Sequence, residues 1–120
     1  MKEKDIKILD RSYQFALGIV KMGQQLPESN GARIIGNQLL RAGTSAGANV
    51  EEAVAAYSKT DFTHKMSVAL KEARETHYWL RLLRDSEIIT PVRLSAITAE
   101  AEETKKILGA IVRTARKNNE

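Results

Sequence analysis

Apolar residues recur in steps of three and four along four separate stretches of this chain, the spacing that lines up side chains on one face of an α-helix. From Lys4 to Gln25, Ile6, Leu9, Tyr13, Ala16 and Val20 form one seam, while Ile8, Phe15, Ile19, Met22 and Leu26 form a second. Two seams imply neighbours on two sides. One faces the rest of the fold, and Ile8, Phe15, Ile19 and Met22 are assigned to a subunit interface; a single broad core-facing stripe is the alternative. Pro27 stops this helix. A second helix is expected over 30–57, with Ile35, Leu39, Ala42, Ala46, Ala53 and Tyr57 along its main apolar direction. Its middle is the tract Ala42-Gly43-Thr44-Ser45-Ala46-Gly47-Ala48, where each glycine costs about 0.8–1.0 kcal/mol relative to alanine. Close packing must offset that cost if the helix is continuous, and a break is the other outcome. With the hairpin centred on Pro27, equal rises bring Leu9 opposite Ala46 and Tyr13 opposite Ala42.

Ser58 and Asp61 have capping-box-like spacing before a third helix, 60–85. Phe62, Met66, Ala69, Ala73, Thr76, Leu80 and Leu83 trace its heptad-like seam, the strongest periodic signal in the chain. Thr90-Pro91 opens a fourth helix, 91–117, because threonine caps free amides and proline at the first helical position wastes no donor. Its seam runs through Leu94, Ile97, Ala101, Thr104, Leu108, Ile111 and Ala115. Short connections between four amphipathic helices predict an all-α, antiparallel up-down-up-down four-helix bundle, one domain over 1–120.

Composition changes this picture at the margins. Aromatic residues make up only 5% of the chain, so the core is aliphatic, which suits helix-on-helix packing. The absence of cysteine removes disulfides, thiolate metal sites and cysteine nucleophiles together. No long apolar run follows Met1-Lys2-Glu3-Lys4-Asp5, so neither a signal peptide nor a membrane span is expected, and a cytoplasmic location follows. The net charge of +4 is shared equally by the two halves of the chain, so a surface for polyanions has to be assembled by folding or oligomerisation.

Three groups of polar residues bear on chemistry. Arg41, Ser45 and Asn49 recur every four residues, and a hairpin about Ser58-Lys59 sets Arg41 near Thr76 and Ser45 near Glu72. Arg41 then reaches Glu72 or Glu75, and the five residues form a structural polar cluster between helices. Lys71, Arg74, Tyr78 and Arg81 share a stripe that Arg84 continues, which makes them the nucleic-acid-binding candidates: cations for phosphates, and Tyr78 to stack on an unpaired base. A solvated helix face is the competing reading. Arg113, Arg116 and Lys117 suit a helix carboxyl end, and Glu102 with Lys106 makes an ordinary i,i+4 pair. Asp61 and His64 stand alone as an acid-x-x-His motif, since Arg74 occupies the position three before His77, so no di-iron set is assembled. Neither a phosphate-binding glycine loop nor a nucleophile motif is present; catalytic residues, metal and cofactor are each expected to be none, and the chain is not an enzyme.

The run Gln38-Leu39-Leu40-Arg41-Ala42-Gly43-Thr44-Ser45-Ala46-Gly47-Ala48-Asn49-Val50-Glu51-Glu52-Ala53 resembles the second-helix signature of the four-helix-bundle proteins known as 23S ribosomal-RNA intervening-sequence proteins. Ser58-Lys59-Thr60-Asp61-Phe62-Thr63-His64-Lys65 and Ala69 to Leu80 extend the likeness; Glu51-Glu52-Ala53 departs from the Ile-Ala-Glu-Gly ending of many relatives. The resemblance implies a small helical protomer that commonly assembles as a homopentameric ring, and links the chain to a retroelement accessory protein that works with nucleic acid and a reverse transcriptase. The family name records a gene's location and is not itself evidence of RNA binding. The function expected is a non-enzymatic, self-assembling scaffold or accessory protein that binds RNA or DNA through a basic surface of the ring. The alternative is a protein-binding adaptor with no direct nucleic-acid role.

Overall fold

Three of the four helices start where a side chain or a proline deals with amides that lack an intrahelical partner. The computed structural model describes residues 3–118 and contains α1 (Glu3–Gly23), α2 (Asn30–Val54), α3 (Lys59–Asp85) and α4 (Pro91–Asn118), with no strand among the described residues. Ser29 caps α2 by accepting the Ala32 amide at 3.2 Å, and Ser58 caps α3 by accepting the Asp61 amide at 3.0 Å. Two residues past the end of α3, Glu87 adopts a left-handed conformation at φ 60°, one usually left to glycine. Its amide donates to the Arg84 carbonyl at 3.2 Å and turns the chain toward α4.

Ordered contacts set every neighbouring pair antiparallel. A Cβ built on Gly43 would touch Ile19, and one built on Gly47 would touch Ser12 and Ala16, so α2 runs back along α1. Arg116 reaches Ser67 at one end of α4, and Lys105 meets His77 further along, which fixes α3 against α4. Arg93 donates to Gln25 and Arg11 clasps Glu100 through two bonds of 2.6 and 3.0 Å, closing α4 onto α1. The result is an up-down-up-down rod measuring 46 × 21 × 19 Å.

Two apolar clusters divide the core along the rod. Ile8, Val50, Met66, Ala69, Leu108 and Val112 are among the residues that fill one; Phe15, Ile19, Leu39, Leu80, Leu83 and Leu94 are among those that fill the other. The expected seams of α3 and α4 are the buried ones, with Phe62, Ile97 and Ala115 partly covered. Thr76 lies fully buried on its seam because its hydroxyl donates to the Glu72 carbonyl at 2.7 Å.

The first hairpin differs from expectation in register and in facing. The connection from Gln24 to Ser29 carries the chain past a simple turn at Pro27, so Ser12, Ala16 and Ile19 meet the small-residue tract in place of Leu9 and Tyr13. Tyr13 is 57% exposed, and Leu9 packs at the margin of the cluster that holds Ala46. Consequently Ile8, Phe15 and Ile19 are buried within the protomer, which leaves them no surface for a subunit interface, while Met22 is half-buried against the cluster of Phe15 and Ile19. The outward seam of α1 is Ile6, Tyr13, Leu17 and Val20. Helix α2 passes unbroken through Gly43 and Gly47, where bulky Ile19 sits against the missing side chain, and it stops at Val54. Tyr57 therefore lies beyond the helix, fully exposed, and contributes nothing to the core.

Candidate functional site

Helix α3 carries acids on its α2 side and bases on its α4 side. On the α2 side, Arg41 donates through Nη1 to Glu72 at 3.0 Å and through Nη2 to Glu75. Trp79 adds its indole N–H to Glu75 at 3.3 Å. The Arg41 guanidinium, followed by Trp79, holds the Glu75 carboxyl below the usual carboxylate range against the opposing effect of burial. Ser45 and Asn49 do not join this group: the Asn49 amide donates back to the Ser45 carbonyl and hydroxyl, a local bond within α2. The five residues thus form two separate contacts.

The stripe from Lys71 to Arg84 does not form one surface. At about 100° per residue, the thirteen steps from Lys71 to Arg84 drift by about 140° around the helix, enough to move side chains from one flank to another. Arg74 and Arg81 line a cleft of about 460 Å³ between α3 and α4. Lys71 acts electrostatically on Glu75, on the other flank, and Tyr78 lies edge-on to Trp79 with ring centroids 4.9 Å apart. Arg84 pairs with its neighbour Asp85 at 2.8 Å and does not line the cleft.

Helix α4 supplies the rest of the cleft: Lys105, Lys106 and Arg113 join Arg74 and Arg81, giving five cations along a track also lined by Leu70, His77 and Gly109. From Leu70 to Arg81 the track spans about 16 Å of helix axis. Gly109 has no side chain to fill the space, and a Cβ there would come within 3.4 Å of Arg113 Nη1. Glu102 is the acid nearest the track, at 3.0 Å from Lys105 and 3.9 Å from Lys106. Arg74, Arg81 and Arg113 form no salt bridge among the described residues.

His77 sits at the centre of this arrangement with its side chain only 13% exposed. Its Nδ1 lies 3.4 Å from the Lys105 ammonium and its Nε2 lies 3.1 Å from Glu102. An ammonium has only protons to offer, so Nδ1 accepts and Nε2–H donates to the carboxylate, the neutral tautomer. Burial first, then Lys105, Arg81 and Arg84, push the imidazole below its ordinary pKa, against the pull of Glu102. Glu102 itself is held low, chiefly by the hydrogen bond from Lys105.

Sequence reasoning missed His77, Lys105, Lys106 and Arg113 as cleft residues. The signal was present: Arg74 and Arg81 on one helix, and Lys106 and Arg113 on the next, share a seven-residue spacing that returns to nearly the same face. Hairpin arithmetic about the Ser86–Thr90 turn, as applied to Arg41, sets Arg74 opposite Glu102 and so within about one helical turn of Lys106.

Fold and cleft together define an antiparallel four-helix bundle with a cation-lined groove between its last two helices. The chain matches the family described as 23S rRNA-intervening sequence protein over residues 4–110, and it belongs to that family. It is similar to the crystal structure of a protein with unknown function from the S23 ribosomal protein family of Bacteroides thetaiotaomicron VPI-5482, solved at 1.70 Å resolution. The two are 41% identical with a TM-score of 0.84, and the match covers 92% of this chain and 98% of that one. No curated protein matches this chain. Among the described residues no helix is long and apolar enough to cross a membrane.

Proposed function

We propose that this protein is a cytoplasmic, non-enzymatic accessory factor that self-assembles, as a homopentameric ring, and holds RNA or DNA by its phosphate backbone. The observation that carries the reading is the α3–α4 cleft, where five cations outnumber the nearby carboxylates, Glu102 beside Lys105 and Asp85 within the field of Arg81. Such a groove favours an anionic occupant, because each bound phosphate releases condensed counterions and relieves repulsion among the cations. Among the described residues no Phe, Tyr or Trp lines the cleft, its one ring being the His77 imidazole, 13% exposed and held between Lys105 and Glu102, and Tyr78 is engaged with Trp79 outside it. Recognition is therefore by charge and is insensitive to base sequence.

The exposed apolar run Ile6, Tyr13, Leu17 and Val20 on α1, with Leu40 of α2 beside Val20, supports association with further copies. A ring would repeat the weak cleft and raise its avidity for one long polyanion.

Fluorescence anisotropy with single-stranded oligonucleotides at several salt concentrations tests the cleft. Combined Arg74→Gln, Arg81→Gln and Arg113→Gln substitution is expected to lower the slope of log affinity against log salt by about two. Lys71→Gln with Arg84→Gln is expected to leave it nearly unchanged. Equal effects from both sets would defeat the assignment to the cleft. Light scattering checks assembly: Tyr13→Glu with Leu17→Glu should yield folded protomers, and a wild-type protein that is already monomeric at cellular concentration removes the ring. The apolar α1 face also suits a purely protein-binding adaptor, which would recover one recurrent protein partner and no nucleic acid.

A further inference from the structure

We infer that His77 links phosphate binding in the α3–α4 cleft to proton uptake, so that the cleft grips a phosphodiester backbone more tightly as pH falls. This inference rests on the cleft being a polyanion site. The geometry has two parts. His77 is enclosed by groups of known charge: Arg74, Arg81 and Arg84 on its own helix, and Glu102, Lys105, Lys106 and Arg113 on α4. Its Nδ1 is the acceptor that holds the Lys105 ammonium at 3.4 Å.

In the empty cleft the surrounding cations and burial oppose a second proton on the ring. A phosphodiester lying among Arg74, Arg81 and Lys105 cancels part of that positive field and raises the affinity of Nδ1 for a proton. Once Nδ1 is protonated it has no lone pair for Lys105. The ammonium then leaves the ring, and the donor it had given to Nδ1 is free to turn toward the anion while another stays on Glu102. Linkage makes the coupling reciprocal: whatever factor the anion adds to proton binding, the proton adds to anion binding. Glu102 cannot supply the same effect at mildly acid pH, because Lys105 holds it ionised below the usual carboxylate range.

The probe is a short labelled oligothymidylate, whose bases and phosphodiesters do not titrate between about pH 5.5 and 8, the window of the imidazole. At fixed ionic strength the wild-type protein should bind it up to about tenfold more tightly at the acid end, the factor that corresponds to a rise of one unit in the imidazole pKa. His77→Gln should bind with less than about a twofold change across the same range. NMR of the wild type gives a readout that needs no variant. The ring-proton titration of His77 should move to higher pH on adding the oligonucleotide. Binding that requires Arg74 and Arg113 yet keeps the same pH dependence in folded His77→Gln, or a His77 titration unmoved by the oligonucleotide, would overturn the linkage while leaving the cleft reading intact. Absence of binding at every pH, or binding indifferent to Arg74→Gln and Arg113→Gln, would overturn both.

Discussion

Toward α2, helix α3 presents Glu72 and Glu75 to a single arginine; toward α4 it presents Arg74, His77 and Arg81 to Lys105, Lys106 and Arg113. On the first side each charge has its opposite within bonding distance, and the contact needs nothing from outside the protomer. On the second side the positive charges outnumber the nearby acid, and Arg74, Arg81 and Arg113 face solvent. Charged residues between packed helices are therefore not equivalent. Groups bonded to one another across a helix pair fix its register, whereas cations gathered on rigid helices without matching acids create a field that favours anions.

Substitution at Arg41 is the strongest way to break this contrast. Arg41→Met leaves the Glu72 carboxylate buried without its partner and should lower stability by about 1–2 kcal/mol, the lower part of the usual cost because the half-exposed guanidinium position admits water. Chemical denaturation measures it, and oligonucleotide binding should be unchanged. The pH dependence has a definite sign. Glu75 is held below its ordinary value, so its share of stability is present above about pH 4.5 and is lost as pH falls through its folded pKa. The gap between wild type and Arg41→Met should accordingly narrow in acid; a constant gap would mean that Glu75 is not held by Arg41.

Alanine at two glycines sharpens the comparison at a smaller scale. At Gly43 a Cβ would meet Ile19 Cγ1 and Cγ2 at 3.0 Å inside a sealed seam. Overpacking there should exceed the gain in helix propensity, for a net loss of about 1 kcal/mol. At Gly109 the neighbour is the far end of Arg113, which can move, and alanine should leave stability unchanged or raise it by about 0.5 kcal/mol. Thermal unfolding should fall for Gly43→Ala and stay level or rise for Gly109→Ala, and losses of equal size would show that the α3–α4 cleft is packed as tightly as the α1–α2 seam. The smallest effect belongs to Arg113→Gln. Stability should change by less than about 0.5 kcal/mol and in the favourable direction at low salt, since a repulsion is removed. A clear loss would mean that Arg113 has a structural partner.

The number of helices and their seams on α3 and α4 were readable because the three-and-four spacing repeats over many turns and the caps Ser58 and Thr90-Pro91 mark the starts. The meeting of Arg41 with Glu72 and Glu75 was equally accessible, since a short turn leaves little freedom in the register of α2 against α3. The facing of α1 was not. Both of its seams are apolar, and the longer connection through Pro27 shifts the register by more than half a turn, so burial of Ile8, Phe15 and Ile19 and exposure of Tyr13 follow from which residues fit the glycine tract. The cleft was half visible. Arg74 and Arg81 stood out on their helix, but Lys105, Lys106 and Arg113 each had a sufficient local explanation on their own.

The order and amphipathic character of the helices, and the small-residue notch that lets α1 approach α2, are properties of the linear chain, because local hydrogen bonding and side-chain spacing depend on residues only a few positions apart. Which of two apolar faces turned inward, and which cations separated by some thirty residues came to share one groove, was decided by tertiary packing. Those outcomes depend on the register and rotation of whole helices, and the energy that selects them comes from contacts that exist only after the helices meet.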